Sequence, residues 1–275
     1  MSGQFEYSGD FSLLRRIPAV LRARDFRLYT AGGRRLVDLW QNGGAAILGH
    51  TPPSMLRELK NTASRGLFAP FPHIMEKRYF KALSLIFPGR NFRLYAIPPP
   101  PLAALVAQET AALWRPFVDL KAPLAVPEKA PPVLIPVLPG IQGFYSGLPL
   151  GICAVALNPD FEAVSLPPGD LIPPVLLALA TRGIYDLIAA APRRAKPDFS
   201  LISKALKNSG PESGLWRRRG IYLMPEHVSA QEEWSALFSR FLDAGFLLPP
   251  VPSQPLILPG VLSPGEEAKL AGLLV

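Results

Sequence analysis

The chain has 275 residues, of which 49% are hydrophobic and 18% charged, a globular composition that excludes intrinsic disorder and leaves room for one large core or two smaller ones. A net charge of +8 admits a polyanionic partner. The arginines, however, stand in short clusters (Arg15-Arg16, Arg34-Arg35, Arg193-Arg194, Arg217-Arg218-Arg219) without interleaved aromatics, so they read as solvated surface and nucleic acid is not expected as a partner. A single cysteine, Cys153, excludes an internal disulfide and fits a reducing cytosol. The N-terminal residues lack a basic start followed by an apolar run, so no signal peptide is expected. The most apolar stretch, Leu171 to Ala191, is interrupted by Pro173, Pro174, Arg182 and Asp186, so a cytoplasmic chain with no membrane contact is expected.

In chain order, Phe26–Thr30 and Arg35–Trp40 alternate as strands, with Ala31-Gly32-Gly33 as the turn between them. After Asn42–His50, Thr51-Pro52-Pro53 opens a helix that closes near Gly66. A second helix carries Ile74, Tyr79, Leu83 and Ile86 on one face and stops at Pro88. Asn91–Tyr95 reads as a strand, followed by the proline run Pro98–Pro101 and a helix from Leu102 to Trp114. Val133–Leu138 reads as a buried strand. Leu171–Ala191 is a helix with two prolines in its first turn, and Glu232–Ala244 an amphipathic helix ended by Gly245. Short strands follow at 246–250 and 255–259, and Ser263-Pro-Gly-Glu266 is a capping box that opens a terminal helix. The 33 prolines cluster at 98–101, 131–139 and 249–252, where they stiffen extended connections.

Several of these segments together resemble class III aminotransferases, the fold type I pyridoxal-phosphate enzymes that include glutamate-1-semialdehyde aminomutase. The resemblance is carried by the hairpin Gly33-Arg-Arg-Leu-Val-Asp38, by Ala46-Ile-Leu-Gly-His50, by the helix ending Phe87-Pro-Gly89, and by Gly147-Leu-Pro-Leu-Gly151 with the small apolar residues after it. In the family the last motif follows the lysine that holds the cofactor, and in this chain Gln142 stands at that position. A glutamine amide cannot form the Schiff base. The resemblance also implies a phosphate cup of hydroxyl and amide donors after Asn91–Tyr95, but Ala96-Ile97-Pro98-Pro99-Pro100-Pro101 stands there. The aspartate that pairs with the cofactor's ring nitrogen has no counterpart after Val133–Leu138, and the phosphate-binding threonine is missing near Gly169-Asp170.

A second register places the family lysine at Lys204, in Pro197-Asp-Phe-Ser-Leu-Ile-Ser-Lys204. It leaves too short a stretch for the family's remaining elements and lacks the Gly-Leu-Pro sequel, so Gln142 is favoured and Lys204 otherwise reads as a surface lysine on a short helix. His50, His73 and His227 are isolated, no metal constellation is present, and His50 reads as bonding local backbone rather than facing a cofactor.

The expected fold is therefore α/β: a reduced, mostly parallel type I aminotransferase sheet with flanking helices, plus a small α+β domain built from both termini. Boundaries are expected at 1–90, 91–210 and 211–275. The expected function is that of a degenerate family member without transaminase catalysis or bound cofactor, acting through a protein partner or small ligand. The alternative is a pyridoxal-phosphate enzyme rebuilt around Lys204. A homodimer is expected, joined through a surface including Trp40, Ile47, Phe68 and Phe71, with 96–140 packed as an extended cover over the sheet.

Overall fold

Proline starts four of the seven α-helices found among the described residues: α1 (Pro53–Ala63), α3 (Pro100–Ala107), α4 (Pro174–Arg194) and α7 (Pro264–Leu273). Its fixed φ suits the first helical turn, where its missing N–H would have no helical acceptor, so a proline-rich chain can still be helical. The structure is a computed structural model that describes residues 11–50, 52–140, 152–162, 166–196, 199–208, 215–226 and 231–275. These residues form two compact units.

The first unit comprises, among the described residues, Pro52–Pro116 and Ala122–Ala191. Its sheet has the order β4-β7-β6-β5, with β4 at Asn91–Tyr95, β5 at Ala111–Trp114, β6 at Val133–Pro136 and β7 at Cys153–Leu157. Every residue of β6 and β7 is buried, which explains why both read as continuous apolar runs rather than as alternating ones. Helix α3 lays Leu102, Leu105 and Val106 on a core that includes Tyr95, Val133, Ile135, Cys153 and Val155. Helices α1, α2 (Ile74–Ser84) and α4 complete the unit.

Four expectations are corrected here. The sheet is mixed: β7 is antiparallel to both β4 and β6, and only β5 and β6 run parallel. Residues 96–140 are not a cover, because they supply α3 and two strands of the sheet itself. The helix expected from Leu102 to Trp114 ends at Ala107, and Glu109 turns the chain at φ 58° into β5. Pairing with β6 decides the state of Ala111–Trp114, overriding its local helix propensity. In α2, Tyr79, Leu83 and the following Ile86 are buried as expected, but Ile74 is 55% exposed.

The second unit comprises Asp10–Thr51, Phe117–Lys121 and Pro192–Val275, so it draws on both ends of the chain. One sheet has the order β1-β2-β3-β10: β1 is Val20–Arg24, β2 Arg27–Thr30, β3 Arg35–Asp38 and β10 Phe246–Leu247. The β2–β3 hairpin closes at 31–33, as the turn residues imply, with Leu28 opposite Leu36. The other sheet has the order β11-β9-β8, with β8 at Trp216–Arg219, β9 at Tyr222–Pro225 and β11 at Leu256–Ile257. Helix α6 (Gln231–Asp243) buries Trp234, Phe238 and Phe241, and the indole of Trp234 donates to the Pro249 carbonyl at 3.1 Å. Helices α5 (Ser200–Asn208) and α7 pack against each other. The capping box of α7 is present: Ser263 accepts from the Glu266 N–H, and Glu266 accepts from the Ser263 N–H.

Candidate functional site: the turn from β4 to α3

The turn after β4 is where the resemblance places a phosphate cup, and most of its backbone donors are missing or taken, the exposed Ile97 supplying one further N–H. Pro98, Pro99, Pro100 and Pro101 have no N–H. The Leu102 N–H donates to the Pro99 carbonyl at 2.9 Å. The Ala96 N–H donates to the Asp170 carboxylate at 2.9 Å. A helix N-terminus ordinarily offers unpaired N–H groups to an anion. In this turn a carboxylate of the chain itself takes the Ala96 donor, and the helix starts without a side-chain cap.

The carboxylate is fixed by a strap, residues 166–170, laid along the end of β4. The Asp170 N–H donates to the Leu94 carbonyl at 2.7 Å. Arg93 donates to the Leu166 carbonyl at 2.6 Å and to that of Pro167 at 3.1 Å. The Tyr95 hydroxyl donates to the Pro167 carbonyl at 2.8 Å. At Gly169 a Cβ would stand 3.1 Å from the Leu94 oxygen, so glycine allows the strap its close approach. Burial pushes the Tyr95 hydroxyl pKa up, keeping it a neutral donor.

Gln142 and the Gly147–Gly151 motif lie outside the described residues, as does His227. The strand that follows that motif is β7, whose Cys153 is buried and whose thiol is pushed up to about 12 by burial, which makes it inert as a nucleophile. Lys204 is exposed on α5, in the second unit. His73 is the N-cap of α2 and accepts from the Met75 N–H at 3.2 Å.

His50 departs from its expectation. Its ring bonds a side chain, Asp38, with Nε2 2.8 Å from Oδ2, rather than backbone. The other oxygen of Asp38, a residue only 1% exposed, accepts from the Trp40 and Gln41 N–H groups at 2.8 and 2.9 Å. This pair ties β3 to the loop after it, because a buried carboxylate needs donors on both oxygens. Two of the residues expected at an interface, Trp40 and Ile47, differ in exposure, Trp40 being half-buried. Ile47 is fully buried, and the Trp40 indole donates to Gln254 at 2.7 Å. Phe68 and Phe71 are exposed, at 61% and 55%. Among the described residues no group of three or more His, Cys, Asp or Glu could hold a metal ion. Helix α4 alone among them is long and apolar enough to cross a membrane, and most of it is buried inside the protein.

No protein-family model matches the chain. An "Uncharacterized protein" of Treponema pallidum (strain Nichols) is 32% identical to it over 290 residues, covering 90% of this chain and 91% of the other. Among solved structures, Plasmodium falciparum ornithine delta-aminotransferase superposes with a TM-score of 0.64 at 12% identity, covering 94% of this chain and 91% of that one. N-acetylornithine aminotransferase from Stenotrophomonas maltophilia superposes with a TM-score of 0.59 at 15% identity, covering 96% and 97%. The structural neighbours are class III pyridoxal-phosphate-dependent aminotransferases, and at such low identity the likeness carries the fold alone.

Proposed function

We propose that this chain, which belongs to one family with the Treponema pallidum protein, is an aminotransferase-fold protein that carries out no transamination and acts by binding a small ligand or a protein partner. The observation that carries the reading is the closed turn after β4. An incoming phosphate would meet prolines and the Asp170 carboxylate where it needs donors. Like charges in contact repel, so the turn opposes a dianion as well as failing to cradle it. The residues present therefore do not fit pyridoxal phosphate at that position.

The Lys204 alternative requires an amine kept neutral by desolvation or a neighbouring cation. Lys204 is exposed on α5, so its amine is not desolvated by burial. The reading extends to assembly: the exposed rings of Phe68 and Phe71 favour a second copy of the chain as a partner, in a cytoplasmic setting suited to the single thiol. The test is to incubate the purified chain with pyridoxal phosphate, ornithine or alanine as amino donor and 2-oxoglutarate as acceptor. No glutamate should form above the protein-free level. Enzyme-dependent glutamate formation would overturn the proposal.

A further inference from the structure

The second unit contains a cavity of about 1010 Å³ lying between the segment Val118–Lys121, one face of α5 and the β8 strand with its turn. Cations outnumber acids on its lining, and most of the charge can be assigned. Arg217 pairs with Glu226 at 3.4 Å. Arg218 is held in place: it donates to the Gly220 carbonyl at 2.9 Å and the Ser203 hydroxyl at 2.6 Å, with its guanidinium 5.2 Å from the Phe199 ring. Asp119 accepts from the backbone N–H of Lys121 at 2.8 Å. The exposed side chains of Lys121, Lys207 and Arg219 have no ion pair among the described residues, so they outweigh Asp119 by two charges.

A second, independent feature sits in the same wall. Trp216 lines the cavity and is 5% exposed, yet its indole N–H has no acceptor among the described residues. A buried donor left unpaired costs about 1–3 kcal/mol, and native proteins keep few of them. Val118, Leu120 and Leu206 supply apolar surface beside the cations. A ligand with an apolar body and a doubly charged head matches both parts, and the volume suits a metabolite-sized molecule.

We propose that this cavity is a binding site for a phosphorylated small molecule, whose phosphate is met by Lys121, Lys207 and Arg219 and whose body lies against the Val118–Leu120 and Leu206 surface, beside the Trp216 ring in its wall. The proposal rests on the non-catalytic reading above by supplying the small ligand it calls for. It can still fail separately, because the test reads anion binding and no turnover. Gly220 sets the site's geometry: with φ at 59° it turns β8 into β9, and a Cβ there would collide with the Phe117 carbonyl.

The experiment is a tryptophan-fluorescence titration of the full chain with inorganic phosphate, at constant ionic strength maintained with sodium chloride. A saturable change in the millimolar range is expected for the wild type. Lys207→Gln/Arg219→Gln should weaken it by about tenfold or more, the equivalent of removing two favourable charges. Lys121→Gln is a second variant that should weaken it in the same direction, and circular dichroism verifies that each variant is folded. No saturable response in the wild type overturns the proposal, as does a response that the folded variants leave unchanged. Tight, salt-sensitive binding of a single-stranded oligonucleotide that phosphate does not displace also overturns it, in favour of a nucleic-acid surface.

Discussion

Replacing Glu266 by glutamine tests how the ends of the chain are held together in the second unit. Glu266 receives Arg27 through two hydrogen bonds, at 2.6 and 3.1 Å, and Arg35 at 3.3 Å, while its own oxygen caps the Ser263 N–H at 2.9 Å. Burial would raise its pKa, but the bond from Arg27 and the capping contacts outweigh burial and hold it at about 2, against an ordinary 4.5. That displacement sets a ceiling of about 3 kcal/mol. The Arg35 side chain is 57% exposed, and solvent screening brings the expected contribution down to about 2 kcal/mol.

Because the folded-state pKa is depressed, the stabilisation is complete above the ordinary value of 4.5 and is lost as pH falls through about 2. Glutamine can keep the capping bond through its one oxygen, so Glu266→Gln removes the charge together with the acceptor on the other side of the carboxylate. Thermal unfolding at neutral pH should show a drop of roughly 4–8 °C for a chain of this size. The gap between wild type and variant should narrow steadily as the buffer is taken from pH 5 towards pH 2. A variant as stable as wild type at neutral pH would refute the reasoning, and so would a gap that does not change with acid.

Three further outcomes follow from the geometry. Gly183→Ala lies within α4, where alanine is ordinarily favoured by about 1 kcal/mol, but its Cβ would stand 2.7 Å from the Pro139 carbonyl oxygen; a net loss of about 1–2 kcal/mol is expected by urea denaturation, and a stabilised variant would contradict the packing. Cys153, 2% exposed and pushed up to about 12, should react with an aromatic disulfide at least about a hundredfold more slowly in the native chain than in denaturant, and prompt native reaction would show that β7 is open. Light scattering at micromolar concentration should give a dimer that Phe68→Ser/Phe71→Ser converts to monomer, whereas a wild-type monomer would remove the proposed assembly.

What the sequence revealed was what is decided locally. Helix α1 after its prolines, the Ser263 capping box and the β2–β3 hairpin depend on residues a few positions apart, and each forms where expected. Strand direction depends on partners far along the chain, which is why a mixed sheet was read as parallel. Strands β1 (VLRAR) and β8 (WRRR) went unread because arginines occupy positions where a strand pattern shows apolar residues. In the site, the four prolines alone foretold the loss of amide donors. The Asp170 carboxylate on Ala96 was out of reach of sequence reasoning, being 74 residues away. The Asp38 and His50 pair had only a weak signal, two polar residues in one hairpin-and-loop segment that turn out to be buried or half-buried together.

The central claim is that the fold has been kept without its cofactor chemistry. The most direct measurement is to incubate the purified chain with pyridoxal phosphate, reduce it with borohydride, and analyse the intact and digested protein by mass spectrometry. Reduction fixes any Schiff base as a stable pyridoxyl adduct on lysine. The account predicts no stoichiometric adduct at any lysine, and none gained preferentially at Lys204. A stoichiometric pyridoxyl group on a single lysine would contradict it, and on Lys204 it would establish the enzyme built around that residue.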